Sequence, residues 1–235
     1  MLVKLFPALL VSLASTLFLG ACAQNTVDTS AAVPERGDEG FMVARNSRAD
    51  ELYVNMESAK GGSAFREIYI APINDANIQI IQPEGTGFGD GWEVTDIEEG
   101  ILQNAMAGEF SRALAYESAF NIVNRRAEAD MVVHTTIVAI HPNASKEAVQ
   151  AGAAKSGGAI TVSLALINAG TGEVMVRSVD TKSTDNIWAF NNMENADPAI
   201  NLIFRAWGNS MRRGLLHLQG RSSDPLTDPM QLKPQ

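Results

Sequence analysis

One cysteine, Cys22, sets the terms on which this chain folds. A lone thiol cannot close an intramolecular disulfide, so the body must be held by a buried core rather than by staples. The residues in front of it say which compartment that body meets. Lys4 gives a positive start, Leu5 to Leu19 is an apolar run, and Gly20-Ala21 puts small residues before the cysteine. A positive region, an apolar region and a small-residue cut site make a secretory signal peptide, here residues 1–21. A membrane-spanning helix takes about 20 apolar residues. This run is shorter, and Pro7 interrupts its start.

Leu19, Gly20, Ala21 and Cys22 together have the form of a bacterial lipobox. The match implies cleavage before Cys22 and acylation of its thiol by palmitate-type chains. A free thiol is a liability in an oxidising compartment, and acylation removes it. One acyl chain anchors only marginally, so durable attachment needs a second signal or chain. Ala23 rather than Asp follows the cysteine. By resemblance to sorted bacterial lipoproteins, that implies the outer membrane of a Gram-negative cell, facing the periplasm.

Removing residues 1–21 from 235 leaves 214 and takes Lys4 away, so 17 bases face 27 acids, a net charge of −10. That length suits one domain with a core of its own. The acidic balance argues against a nucleic-acid partner, whose phosphates demand cationic neutralisation. It gives no help at an anionic bilayer either, so the membrane contact rests on the lipid.

Residues 22–50 read as a lipidated tether of polar and small residues, with only Phe41-Met42-Val43 able to dock on the body. Residues 51–220 carry the folded domain. Leu52-Tyr53-Val54 is a short apolar patch, Phe65 to Pro72 a strand, and Asn77 to Gln82 a weaker one. Glycines at 85, 87, 89 and 91 make a loop. Thr95 and Glu98 stand in capping-box relation, and Ile97, Ile101, Leu102, Ala105, Met106, Phe110 and Leu114 follow at helical spacing. Phe120 to Val123 is a short strand, and Met131 to His141 is a β-branched run that Pro142 ends. After the small-residue loop 143–158, Ala159–Asn168 alternates strictly, turns at Ala169-Gly170-Thr171-Gly172, and returns from Glu173 to about Thr184 as a hairpin. Asp197-Pro198 opens a last helix with Ile200, Ile203, Phe204, Trp207, Met211, Leu215 and Leu218 as its stripe, and Gly220 stops it. Residues 221–235, with three prolines, are a loose tail.

This order predicts an α/β fold of the α+β type. The expectation is a two-layer sandwich with a mostly antiparallel sheet of about 5–6 strands and two amphipathic helices on one face. Leu-Tyr-Val (52–54), Phe-Arg-Glu-Ile-Tyr-Ile-Ala-Pro (65–72), Ala129-Asp130, Gly158 to Leu164 and Thr171-Gly172-Glu173 carry a resemblance. The chain resembles an uncharacterised family of outer-membrane bacterial lipoproteins built on one domain of unknown function. The likeness spans most of residues 50–220 and implies no catalytic residues.

The chemistry-bearing residues form no motif. His134 shares strand parity with Thr136, and His141 has the opposite parity, so the two diverge unless a bulge intervenes. His217 has only Arg213 and Arg221 four residues away. Three independent histidines are expected, with no metal and no cofactor. G-x-S-x-G and S-x-x-K are missing from residues 22–235, and the glycine loop lacks phosphate-binding spacing. The acids Asp90, Glu93, Asp96, Glu98 and Glu99 read as a helix start before a Ca²⁺ site. The long connection Asp185–Ala196 holds Trp188, Phe190 and Asn191, which form either a partner contact or a lid on the core. The function these features suggest is a non-catalytic lipoprotein, anchored through its N-terminal lipid, that binds an envelope protein or supports an assembly. The alternatives are a periplasmic hydrolase whose site shows only in space, and a glycan- or peptidoglycan-binding module.

Overall fold

A computed structural model of the protein describes residues 40–44, 47–60, 64–81, 94–155, 157–185, 187 and 198–221. All of these lie in the unit Ala32–Gln235. In chain order the elements are β1 (Phe41–Val43), β2 (Glu51–Asn55), α1 (Met56–Ala59), β3 (Glu67–Ile70), β4 (Gln79–Ile80) and α2 (Asp96–Ala115). Then come β5 (Asn121–Val123), β6 (Met131–Pro142), α3 (Lys146–Gln150), β7 (Gly158–Asn168), β8 (Val174–Thr184) and α4 (Pro198–Leu218).

The strands make one eight-stranded sheet in the order β1-β2-β8-β7-β6-β3-β5, with β4 also on β6. This corrects one expectation. The count exceeds 5–6 because β1 and β2, of 3 and 5 residues, are too short to show an alternating pattern. The sheet is mostly antiparallel as expected, through β1, β2, β8, β7 and β6, but β3 runs parallel to β5 and β6, and β4 parallel to β6. The reason lies in the connection. Parallel neighbours need a crossover of about a dozen residues or more. The chain between β3 and β5 includes the 20-residue helix α2 and lands parallel to its starting strand.

The capping box at the start of α2 forms as its spacing predicts. The Glu98 amide donates to Thr95 Oγ1 at 3.4 Å, and the Thr95 amide donates to a Glu98 carboxylate oxygen at 2.7 Å. Leu102, Ala105, Met106, Phe110 and Leu114 are buried along the helix. Ile97, expected in that stripe, is 60% exposed, because the buried face of α2 starts through its neighbour Glu98 and runs on through Leu102 and Ala105. Glu117 and Ser118 then adopt left-handed φ values of 50° and 54°, which reverse the chain into β5.

In α4 the whole predicted stripe from Ile200 to Leu215 is buried, and Leu218 packs partly against it. Phe204 meets Phe110 edge-on at 6.0 Å and Trp207 at 5.4 Å. The helices approach closely at Gly208, where an added Cβ would stand 3.0 Å from the Ala113 methyl. Asp197 lies outside the described residues, and Gly220 follows the helix at φ +72°. Such a left-handed residue closes a helix end at no steric cost for glycine.

Most core residues come from one face of the sheet and the inner faces of α2 and α4. Ile68, Met131, Val133, Ile137, Ile140, Ile160, Val162, Leu164 and Leu166 face the helices, with Ile187 from the chain beyond β8. A Cβ at Gly158 would stand 2.6 Å from the His141 carbonyl and 3.0 Å from the buried Ile187 side chain, which explains a glycine there.

The residues that carry the lipoprotein resemblance serve this framework. An Asp130 carboxylate oxygen accepts from the amides of Arg66 and Glu67 at 2.8 and 2.9 Å, pinning the start of β3 to β6. Asn168 Oδ1 accepts from the amides of Gly170 and Thr171, and Gly172 at φ +78° completes the hairpin turn.

Candidate functional site

Every residue singled out by sequence for anchoring or contact lies outside the described residues: Leu19, Gly20, Ala21, Cys22, Ala23, Trp188, Phe190 and Asn191. The structure does bring other polar groups together, in three places.

The first is a polar knot beneath α4. Asp180 of β8 faces the helix layer, opposite Val162 of β7, and is 6% exposed. Its carboxylate accepts from Trp207 Nε1 at 2.7 Å and pairs with Lys182 Nζ at 3.1 Å. It also accepts the Asp50 amide at 3.3 Å, and Asp50 in turn accepts the Thr181 amide at 2.9 Å. A carboxylate this deep is tolerable because its oxygens are partnered. The knot therefore ties α4, β8 and the segment ahead of β2 at one atom group.

The second is the seam between the helices. Glu109 of α2 is 4% exposed and accepts from Arg205 of α4 at 2.8 and 3.1 Å, and from Arg112 of its own helix. Burial pushes the Glu109 carboxyl up, but the bonds from Arg205 and Arg112 outweigh it and hold the group below its ordinary value. The Arg205 guanidinium is held above its own. One turn along α4 from Asn209, Arg212 is 1% exposed, donates to the Tyr116 carbonyl at 2.7 Å and stacks over the Tyr116 ring at 5.3 Å. Sequence reading placed only the apolar stripe here. The signal it passed over was Arg212 following Met211 inside that stripe.

The third is the other face of the sheet. A bulge between Ile137 and Ala139 shifts the register of β6 by one residue. The two histidines that parity alone would separate therefore share one face, His134 opposite Ala165 and His141 opposite Ala159. His141 Nε2 lies 3.2 Å from Thr161 Oγ1, which lies 3.0 Å from Thr181 Oγ1. Thr136 stands opposite Ser163 and meets Asn74. Arg177 of β8 covers the Phe41 ring of β1 at 5.6 Å, next to Tyr53 of β2. Apart from Val132 and Ala139, the β6 and β7 residues on this face are half-buried.

An imidazole within reach of a hydroxyl is the first half of a nucleophile–base pair. The second half is an orienting acid and an oxyanion site. Among the described residues no carboxylate is bonded to His141, and its hydroxyl partner is already shared with Thr181. Among the described residues no group of three potential metal ligands converges. In the acidic cluster Glu98 is committed to the capping box, Asp90 and Glu93 lie outside the described residues, and Asp75 foremost pushes the Glu99 carboxyl up. The open face presents imidazole, hydroxyl and amide groups in a half-buried row.

No family model matches the chain, and no curated protein matches it. Among solved structures, the hypothetical protein CT253 from Chlamydia trachomatis is 10% identical, with 66% of this chain and 98% of that one covered at a TM-score of 0.41. The PelC dodecamer from Paraburkholderia phytofirmans is 8% identical, covering 61% and 86% at 0.34. Lipoprotein GNA1162 from Neisseria meningitidis is 10% identical, covering 62% and 97% at 0.31. At these scores the likeness is loose, and none of their properties passes to this chain.

Proposed function

We propose that this chain is a lipid-anchored envelope protein that binds a protein partner and catalyses no reaction. The observation that carries the reading is the lipobox Leu19-Gly20-Ala21-Cys22, with the only cysteine of the chain at its end. The thiol of Cys22 takes the lipid, residues 23–39 give reach, and the sheet domain beginning near Phe41 stands off the membrane. Ala23 directs the product to the outer membrane, facing the periplasm. Trp188, Phe190 and Asn191 make the partner contact.

Labelling with radioactive palmitate and membrane fractionation test the anchor. The wild-type chain is expected to take the label and travel with outer-membrane markers, and Cys22→Ser to do neither. Label retained by Cys22→Ser overturns the lipid assignment. The contact is tested by crosslinking in intact cells. Trp188→Ala with Phe190→Ala is expected to lose the crosslinked partner while folding and location are kept.

A further inference from the structure

The chain enters the folded domain at one end of the sheet. Phe41 pairs with Asn55, and a Cβ at Gly40 would lie 3.9 Å from Asn55 Nδ2. α1 follows Asn55, and Ser58 Oγ donates to Glu173, just ahead of β8, at 3.1 Å. β6 starts at this end too, since Met131 pairs with Asn168 before the β7–β8 turn. Both long helices finish here. They run parallel, as the ascending contacts Glu109–Arg205, Ala113–Gly208 and Tyr116–Arg212 show. Past α4, Gln219 Nε2 donates to the Phe65 carbonyl ahead of β3 at 3.0 Å. The far end is built by Pro142, Gly158 and Thr184, aligned across β6, β7 and β8, with α3 and Asp185 beyond them. The 11 residues of β8 set the two ends roughly 35 Å apart.

Charge is arranged differently at the two ends. At the entry end Lys60 pairs with Glu57, and Arg125 with Glu128. Toward the far end the acids Asp75, Asp96 and Glu99 gather instead, and Asp75 foremost pushes the Glu99 carboxyl up. An anionic bilayer repels such a gathering within about a Debye length of its surface.

We propose that the domain turns its entry end, with α1 and the β7–β8 turn, toward the lipid headgroups and holds the α3 end away from them. This rests on the lipid anchor at Cys22 proposed above. Fully extended, residues 23–39 reach about 60 Å, and as a coil they span about 20–25 Å. A coil of that size keeps the entry end near the bilayer. Bringing the far end down instead draws the same residues out along the length of β8 and sets the acids of α2 against anionic lipid.

The test uses the acylated full chain in vesicles containing phosphatidylglycerol, where acylation leaves Cys22 unreactive to thiol dyes. A donor dye is placed at Thr171→Cys in the β7–β8 turn or at Ala153→Cys beyond α3, both exposed positions, and an acceptor dye on the lipid headgroups. Lys60→Cys and Glu147→Cys make a second exposed pair, so that a variant that folds poorly does not decide the result. With ~35 Å between the ends, donors at the entry end should transfer energy about 3-fold or more better than donors at the far end. Equal or reversed transfer in vesicles that carry the protein on flotation overturns the orientation and leaves the anchor standing. A chain that fails to float with the vesicles overturns the anchor and the orientation with it.

Discussion

The two faces of this sheet are built from the same strands and differ in almost everything else. On one, Val133, Ile137, Val162 and Leu164 are closed over by α2 and α4, and the polar groups that enter, Asp180 and Glu109, are each bonded by more than one partner. On the other, His134, Thr136, Thr161 and Ser163 stand half-buried, with Thr136 meeting Asn74 and Thr161 lying between His141 and Thr181. The lesson is one of tolerance. A buried polar group must be satisfied or it costs the fold, whereas one beside water can lose its partner at little expense. The covered face therefore stores stability, and the open face can lose a polar partner at little cost.

The sharpest way to break that contrast is Trp207→Ala. It removes the largest ring in the helix layer and leaves Asp180 without its indole donor, so a loss of about 3–5 kcal/mol is expected in urea unfolding. An unchanged midpoint would mean that the covered face is not the store of stability. Gly208→Ala probes the same layer by overfilling it. With the new methyl 3.0 Å from that of Ala113 and 3.3 Å from the Glu109 carbonyl, the expected cost is about 1–3 kcal/mol.

Glu109→Gln gives the contrast a pH dependence. The folded carboxyl sits below its ordinary value of 4.5, so the ion pair stabilises above that pH and its contribution fades as pH falls through the lower folded value. Glu109 is buried but its arginines are partly exposed, so about 1–2 kcal/mol is expected at pH 7, between the exposed and buried limits. Melting curves of wild type and variant should converge in acid. The smallest effect belongs to the open face. Thr161→Val keeps the β-branch and loses hydroxyl contacts that water can replace, so the shift should stay within about 0.5 kcal/mol. A larger loss would show that the hydroxyl row is structural.

The same contrast decides what could be read from sequence. The hairpin β7–β8 and the stripes of α2 and α4 were legible because their periods run for many residues, and the Thr95–Glu98 box because capping is local. The parallel pairing of β3 was not legible, since it depends on where a crossover lands. Nor were Glu109 and Arg205, whose attraction spans 96 positions of chain. The common face of His134 and His141 turned on one extra residue, Val138, in a run of β-branched side chains that carries no bulge signal. The residues proposed for anchoring and contact lie outside the described residues.

The bulge in β6 also makes residue count a form of information. Upstream of it Ile137 points to the helices, and downstream Ile140 does, three positions on rather than two. Deleting Val138 would remove the one residue without a partner on β7 and restore strict alternation, leaving Ile140 under the helices and His141 on the open face. Replacing Val138 by another strand-forming residue would change neither. At this point β6 can lose a residue and keep its faces, whereas a one-residue deletion elsewhere in the strand would turn everything beyond it over.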